Sequence, residues 1–234
     1  MTTGKGFGMH AVRSVRARRW LTAVGLAMTL GAGSVACASD DAEAEHEAYV
    51  GAEEVCGGLF AGPTAKMVED VTGRKLFAWR NSKSVEDVVR ALKDGYASGR
   101  SWAAGDDLCE LVRKGATPTE PAGGVKFSMY APHDVGDPGL PAGAEFYTMG
   151  QQSEVARSGA ALYFECVTPQ LKDSDKNPLR IHGSFGRGKS DAPDTREYRN
   201  LNMTILHAVS LKLVKALDCE NNGGLPKDPV LSPK

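Results

Sequence analysis

An α+β fold, helical in its first half, with about four mostly antiparallel strands and a long C-terminal helix packed on the sheet, is what the hydrophobic periodicity of this chain predicts. Up to about Val112 the apolar residues recur at helical spacing, from Val125 to Phe185 they alternate, and from Glu197 to Asp218 the helical period returns. Helices, then strands, then one long helix describe a sheet whose helices gather on one face. Ahead of this domain stand 36 residues of a different character.

In that leader, Lys5, Arg13, Arg16, Arg18 and Arg19 come without any acidic residue, and the apolar stretch from Trp20 to Ala36 follows. A basic segment, an apolar segment and a small-residue end are the parts of an export signal. The apolar stretch is shorter than the ~20 residues a spanning helix requires, and Gly31, Gly33 and Ser34 thin its second half. Two cleavage sites compete. Ser34-Val35-Ala36-Cys37 fits a lipoprotein signal in which a thioether lipid is attached to Cys37, although Ser34 stands where Leu is usual. Ala36-Cys37-Ala38 would release a soluble chain beginning near Ser39. Arg18-Arg19 leaves both the general secretory and the twin-arginine routes open.

Residues 37–54, rich in acid and alanine, have too few apolar side chains to fold alone and read as a solvated tether. A single domain is expected over residues 55–225, with a Pro-containing tail over 226–234. Pro63 opens a helix that ends at Gly73, and Ser84 with Asp87 caps a second one through Val85, Val88, Val89 and Leu92. Asp106–Val112 reads as a third, short helix carrying Cys109. Strands are expected at Val125–Tyr130, Glu145–Met149, Ala160–Val167 and Leu179–Phe185. Leu206, Val209, Leu213, Ala216 and Leu217 lie on one side of the last helix, which Asn221-Asn222-Gly223-Gly224 would stop.

Beyond Cys37 the cysteines are Cys56, Cys109, Cys166 and Cys219, an even set with no C-x-x-C spacing. In an oxidising compartment they read as two disulfides with three possible connectivities. Packing of the third strand against the long helix would let Cys166 meet Cys219, which leaves Cys56 for Cys109. The full chain carries 28 basic and 29 acidic residues; without the five basic residues of the leader the balance is 23 against 29, or −6. A mildly acidic chain argues against nucleic acid and anionic membrane surfaces as partners.

Several motifs fail in context. Gly183–Ser190 spells G-x-x-x-x-G-K-S, but Pro193 follows where the phosphate-cradling helix must run, so a glycine-rich loop is expected. Asp173–Asn177 opens like a calcium loop, yet Pro178 and Ser184 occupy the positions that need Gly and Glu. No nucleophile elbow or zinc-protease helix is present. His182 and His207 stand alone, so no catalytic residue, metal or cofactor is assigned.

Cys37, the Cys56-Gly57-Gly58-Leu59 opening and the Leu217–Pro226 close resemble uncharacterised lipoproteins of actinobacterial type. The resemblance implies a compartment and an anchor and carries no catalytic residue. The functional expectation is a membrane-tethered extracytoplasmic domain, held by its N-terminal lipid, that binds an unknown protein or small molecule without chemistry. A secreted, hydrolase-like enzyme assembled from dispersed residues such as His133, Asp134 and His182 is the alternative.

Overall fold

The computed structural model describes residues 49–114, 121–136 and 143–234. The leader, Cys37 and most of the tether lie outside them. The elements are α1 (Val55–Gly58), α2 (Pro63–Thr72), β1 (Phe77–Arg80), α3 (Val85–Ala97), β2 (Ala103–Arg113), β3 (Pro121–Met129), β4 (Glu145–Tyr147), β5 (Gln152–Ala156), β6 (Gly159–Cys166), β7 (Leu179–Gly186) and α4 (Arg196–Ala216). All seven strands form one antiparallel sheet in the order β1-β2-β3-β7-β6-β5-β4.

Seven strands and four helices correct the expectation of a helical first half with about four strands. The four alternating stretches fall on β3, β4, β6 and β7, and the difference lies in β1, β2 and β5. Strand β2 was expected as the helix carrying Cys109 because Leu108, Leu111 and Val112 stand at helical spacing. Irregularities in its pairing with β3, between Asp107 and Cys109 and between Leu111 and Val112, are the cause. They place two consecutive residues, Leu108 with Cys109 and Leu111 with Val112, among the buried ones. A bulge in a strand thus counterfeits the helical period. Strand β5 has little apolar character to alternate. Its Ser153 is buried and bonded, donating from Oγ to the Tyr147 carbonyl (2.8 Å) and accepting from Met149 N–H (3.2 Å). Strand β1 is four residues long and sits at the sheet edge.

The packed chain begins before Val55. Val50 exchanges both backbone hydrogen bonds with Phe77 at 2.9 Å, and Ala52 is fully buried. The C-terminal tail is docked as well: Lys234 N–H donates to the Phe146 carbonyl (3.0 Å) and Pro233 bridges Tyr147.

Local chemistry accounts for the helix ends. The α3 N-terminus is a reciprocal capping box, with Ser84 Oγ accepting from Asp87 N–H (3.1 Å) and Asp87 accepting from Ser84 N–H (3.3 Å). Helix α2 starts at Pro63 and stops at Gly73 in the left-handed conformation. Helix α4 ends earlier than its Asn-Gly run suggests. Asp218 takes φ 55°, and the N–H groups of Asp218 and Cys219 close on the carbonyls of Lys215 (3.2 Å) and Val214 (2.9 Å). That is the Schellman pattern with aspartate in the place glycine usually fills.

Helices α3 and α4 pack on one face of the sheet and α2 packs against α4. The core joins Val125 and Phe127 of β3, Leu162 and Phe164 of β6, and Leu179, Ile181 and Phe185 of β7 to Met203, Leu206, Val209 and Leu213 of α4, all essentially inaccessible. Burial at this level stabilises by roughly 1.5–3 kcal/mol per side chain. At the centre stands Gly183, where a Cβ would lie 2.7 Å from Phe127 Cε1 and 3.3 Å from Leu206 Cδ1. Two disulfides staple this arrangement, Cys56–Cys109 between α1 and β2, and Cys166–Cys219 between the end of β6 and the residue that closes α4.

Replacing Gly183 by alanine is expected to overpack this centre and cost about 1–3 kcal/mol, read as a lower urea midpoint. Each disulfide spans 53 residues of sequence, for which the chain-entropy relation gives about 4 kcal/mol. Removing the second pair in a Cys166→Ala, Cys219→Ala chain should lower stability by about 2–5 kcal/mol under the same assay.

Candidate functional site

Side chains on the other face of the sheet alternate with the core. From β7 these are Arg180, His182 and Ser184, and from β6 Ala161, Tyr163 and Glu165, directly opposite one another in register. Much of this face is an ordinary solvated surface with cross-strand ion pairs: Glu165 with Arg180 (3.4 Å), Asp107 with Lys126 (3.9 Å) and Glu110 with Arg80 (3.1 Å).

One part is different. Leaving β3, the chain crosses toward β5, where Gly136 N–H donates to Gln152 Oε1 at 2.8 Å. Tyr130 is buried beside this crossing and meets Tyr163 edge-on at 5.3 Å, and Tyr163 lies flat on the His182 ring at 4.5 Å. Burial lowers the imidazole pKa of His182, and the Asp134 carboxylate opposes that shift. Burial likewise raises the Tyr130 phenol, far above neutrality.

The dispersed set of His133, Asp134 and His182 is therefore partly assembled. Asp134 reaches His182 electrostatically, but one oxygen accepts from Ala131 N–H (2.7 Å) and the other lies 3.5 Å from His133, whose side chain is 85% exposed. The hydroxyl beside His182 belongs to Ser128, with Oγ 3.5 Å from Nδ1. A nucleophile and its base stand at about 2.6–3.2 Å, so this pair is loose, and one face of the ring is covered by Tyr163. His207 serves structure. It is buried on α4, with Nε2 2.8 Å from the Pro226 carbonyl.

Among the described residues no three His, Cys, Asp or Glu side chains gather closely enough to hold a metal ion. None of the helices searched, all within the described residues, is long and apolar enough to cross a membrane.

A second candidate is a cleft of about 510 Å³ at the end of the sheet where β2 and β7 finish and the β5–β6 turn lies. Arg113, Arg157, Arg187 and Lys189 line it, with Asp191 as the one carboxylate in its wall. The letters of the nucleotide-binding motif are located here, but they make no phosphate-cradling helix. Gly183 to Gly186 belong to β7, and the chain from Arg187 onward is irregular until α4 begins at Arg196. The walls are tied together by Arg187 N–H donating to the Ser158 carbonyl (2.9 Å), Ser190 Oγ to the Val71 carbonyl (2.6 Å) and Ala192 N–H to Ser190 Oγ (3.1 Å). Sequence reasoning singled out Lys189 and Ser190 through a motif that does not form. It had no signal for Arg113 and Arg157, which only the pairing of distant strands brings alongside.

The half-buried His182 and the buried His207 both bind protons less readily in the folded chain than in the unfolded one, because desolvation lowers the pKa of each. Below the unfolded value of ~6.5 the unfolded chain takes up protons first, so stability falls as pH drops through that window. Urea midpoints measured from pH 7.5 to 5 should decline, with each histidine contributing at most about 1.4 kcal/mol per pH unit to the slope. A His182→Gln, His207→Gln chain should lose that part of the slope.

Comparison with models of known protein families, with curated proteins and with solved structures gave no match to this chain.

Proposed function

We propose that this chain is a lipid-anchored extracytoplasmic domain that binds a ligand without transforming it. The observation that carries the reading is the use of the cysteines. Cys56, Cys109, Cys166 and Cys219 are consumed in two disulfides, which belong to an oxidising, extracytoplasmic environment. Of five cysteines this leaves Cys37 outside both pairs, and it is the one that follows a basic and apolar leader. A cysteine at that place is what lipid attachment requires, and the resemblance of the leader to lipoprotein signals supports the same anchor.

Binding in preference to chemistry is supported by the two candidate sites. The His182 ring is stacked on Tyr163 with its neighbouring hydroxyl at a loose distance. The basic cleft offers charge and room without a nucleophile–base pair. A secreted, hydrolase-like enzyme is the second reading, favoured by the field of Asp134 on His182. Under that reading, turnover of an ester or phosphoester would depend on both His182 and Ser128.

Intact-mass analysis of the protein extracted from its native membrane is expected to show a diacylglyceryl adduct on Cys37 and the loss of four hydrogens to the two bridges. A Cys37→Ser chain should move to the soluble fraction with both bridges intact. An unlipidated chain beginning at Ser39 in the native preparation would overturn the anchor.

A further inference from the structure

Arg187 lines the basic cleft, yet only 2% of it is exposed. Its Nη2 donates to the Ala192 carbonyl at 3.3 Å, and its Nη1, shut off from solvent, has no hydrogen-bond partner. No carboxylate stands within ion-pair distance of it among the described residues. Burial holds the Arg187 pKa below its usual range, and another cation, the exposed Arg157 on the β5–β6 turn, lowers it further. Asp194 pulls the other way, but its two oxygens are engaged by Arg199 at 2.8 and 3.0 Å.

Arg157 and Arg187 line one cleft whose single wall carboxylate, Asp191, makes an ion pair with neither of them among the described residues, and cations left uncompensated in this way are unfavourable in a folded protein. Arg113 and Lys189 line the same cleft and have interactions of their own, so the case rests on Arg157 and Arg187. The hydrogen bonds from Arg187 N–H to Ser158 and from Ser190 Oγ to Val71 hold the backbone of the two walls together, so the positions from which the two arginines extend are fixed. Guanidinium forks pair with phosphate oxygens bidentately, and a phosphate monoester offers three such oxygens and a phosphodiester headgroup two, enough for donors from two arginines at once.

We infer that the cleft between the Arg157–Ser158 turn and the Arg187–Asp191 loop is a binding site for a phosphate group. A volume of about 510 Å³ admits the phosphate together with the small alcohol that it esterifies. Two sources share this chemistry, a soluble phosphate ester and the headgroup of an anionic phospholipid. This inference deepens the binding reading and rests on its claim that the domain binds a ligand, whether or not the ligand is turned over.

The test uses the full Cys37→Ser chain, which has no lipid of its own, in three measurements. Titration with inorganic phosphate and with glycerol 3-phosphate, followed by amide NMR, should give saturable shifts confined to residues 157–158 and 187–191. Arg157→Glu, at an exposed turn where folding is unaffected, should weaken binding at least ~10-fold, as expected for losing a charge-assisted phosphate contact and adding a repulsive one. Arg90→Glu on the exposed face of α3 should leave binding unchanged. Co-sedimentation with phosphatidylglycerol vesicles, competed by glycerol 3-phosphate, would assign the phosphate to a lipid headgroup; binding of the soluble ester without vesicle retention would assign it to a free ester. Absence of saturable shifts, or an equal loss in Arg157→Glu and Arg90→Glu, overturns the site. Arg187→Lys keeps the charge but loses the fork and should also weaken binding; full affinity there would overturn the bidentate recognition. Hydrolysis of p-nitrophenyl phosphate by the same chain would leave the site standing and overturn binding without chemistry.

Discussion

The domain is held together where α4 lies on the inner face of β7. Although β7 is the last strand in the sequence, it occupies the middle of the sheet, between β3 and β6. The strands β1, β2 and β3 on one side, and β4, β5 and β6 on the other, share no backbone ladder except through it. Both disulfides act within a side: Cys56–Cys109 closes onto β2, and Cys166–Cys219 closes the end of α4 onto β6. Joining the sides is therefore left chiefly to hydrogen bonding along β7 and to apolar burial under α4, helped on the open face by the Gly136–Gln152 bond and by Tyr130 against Tyr163. The absence of a side chain at Gly183 is what lets Phe127 and Leu206 close over that strand. A sheet completed by its last strand also requires pairing between residues far apart in sequence, which slows folding relative to local hairpins.

Charge is spread over this frame in two ways. On the open sheet face, opposite charges stand across from each other on neighbouring strands, as in Glu165 with Arg180 and Asp107 with Lys126. Exposed pairs of this kind contribute about 0–1 kcal/mol each and do more for register than for stability. Arg199, in the first turns of α4, is treated differently: it bonds Asp194, Glu145 and the Gly143 carbonyl and ties the helix to the β4 edge. Arg187 is more deeply buried than Arg199 and has no such set of acceptors. Two arginines a dozen residues apart thus show what a satisfied and an unsatisfied guanidinium look like in the same fold.

How much of this was legible depended on whether a segment's surroundings repeat its own sequence pattern. Strands β6 and β7 read correctly because each buries one face without interruption, so Leu162, Phe164 and Cys166, or Leu179 and Ile181, alternate cleanly. Strand β2 did not, because its irregular pairing turns adjacent residues inward and mimics a helix. Strand β5 did not, because it is stabilised by its neighbours' backbones and by buried polar residues such as Ser153. The capping box of α3 was visible in Ser84 and Asp87, whereas α4, expected to run to about Asp218 ahead of the Asn-Gly stop, closes at Ala216, since Asp218 takes a conformation that sequence statistics assign to glycine or asparagine. Of the candidate site residues, Asp134 and His182 were named from sequence, but their relation depends on a loop crossing the sheet, which no local pattern encodes.

The stretch from Gly183 to Ser190 shows most directly why letters alone do not determine chemistry. In a nucleotide-binding loop its glycines would free the backbone to wrap phosphates ahead of a helix. Here Gly183 makes room for Phe127 and Leu206, and Gly186 faces Gly124 on one side and Gly159 on the other. At Gly159 even one added carbon would lie 1.9 Å from the Phe185 carbonyl oxygen. Close packing thus explains Gly183 and the facing Gly159, whereas Gly186 borders open space and Gly188 serves the loop with a φ of 62°. The cations that follow them are not explained in that way. Packing alone would favour an apolar side chain at the position of Arg187, and a guanidinium buried there without a carboxylate opposes folding unless something anionic completes it. Nearly the same residues that fail as a nucleotide motif, read with the distant Arg113 and Arg157 that the sheet brings beside them, are for that reason the part of this chain in which a ligand is most plainly wanted.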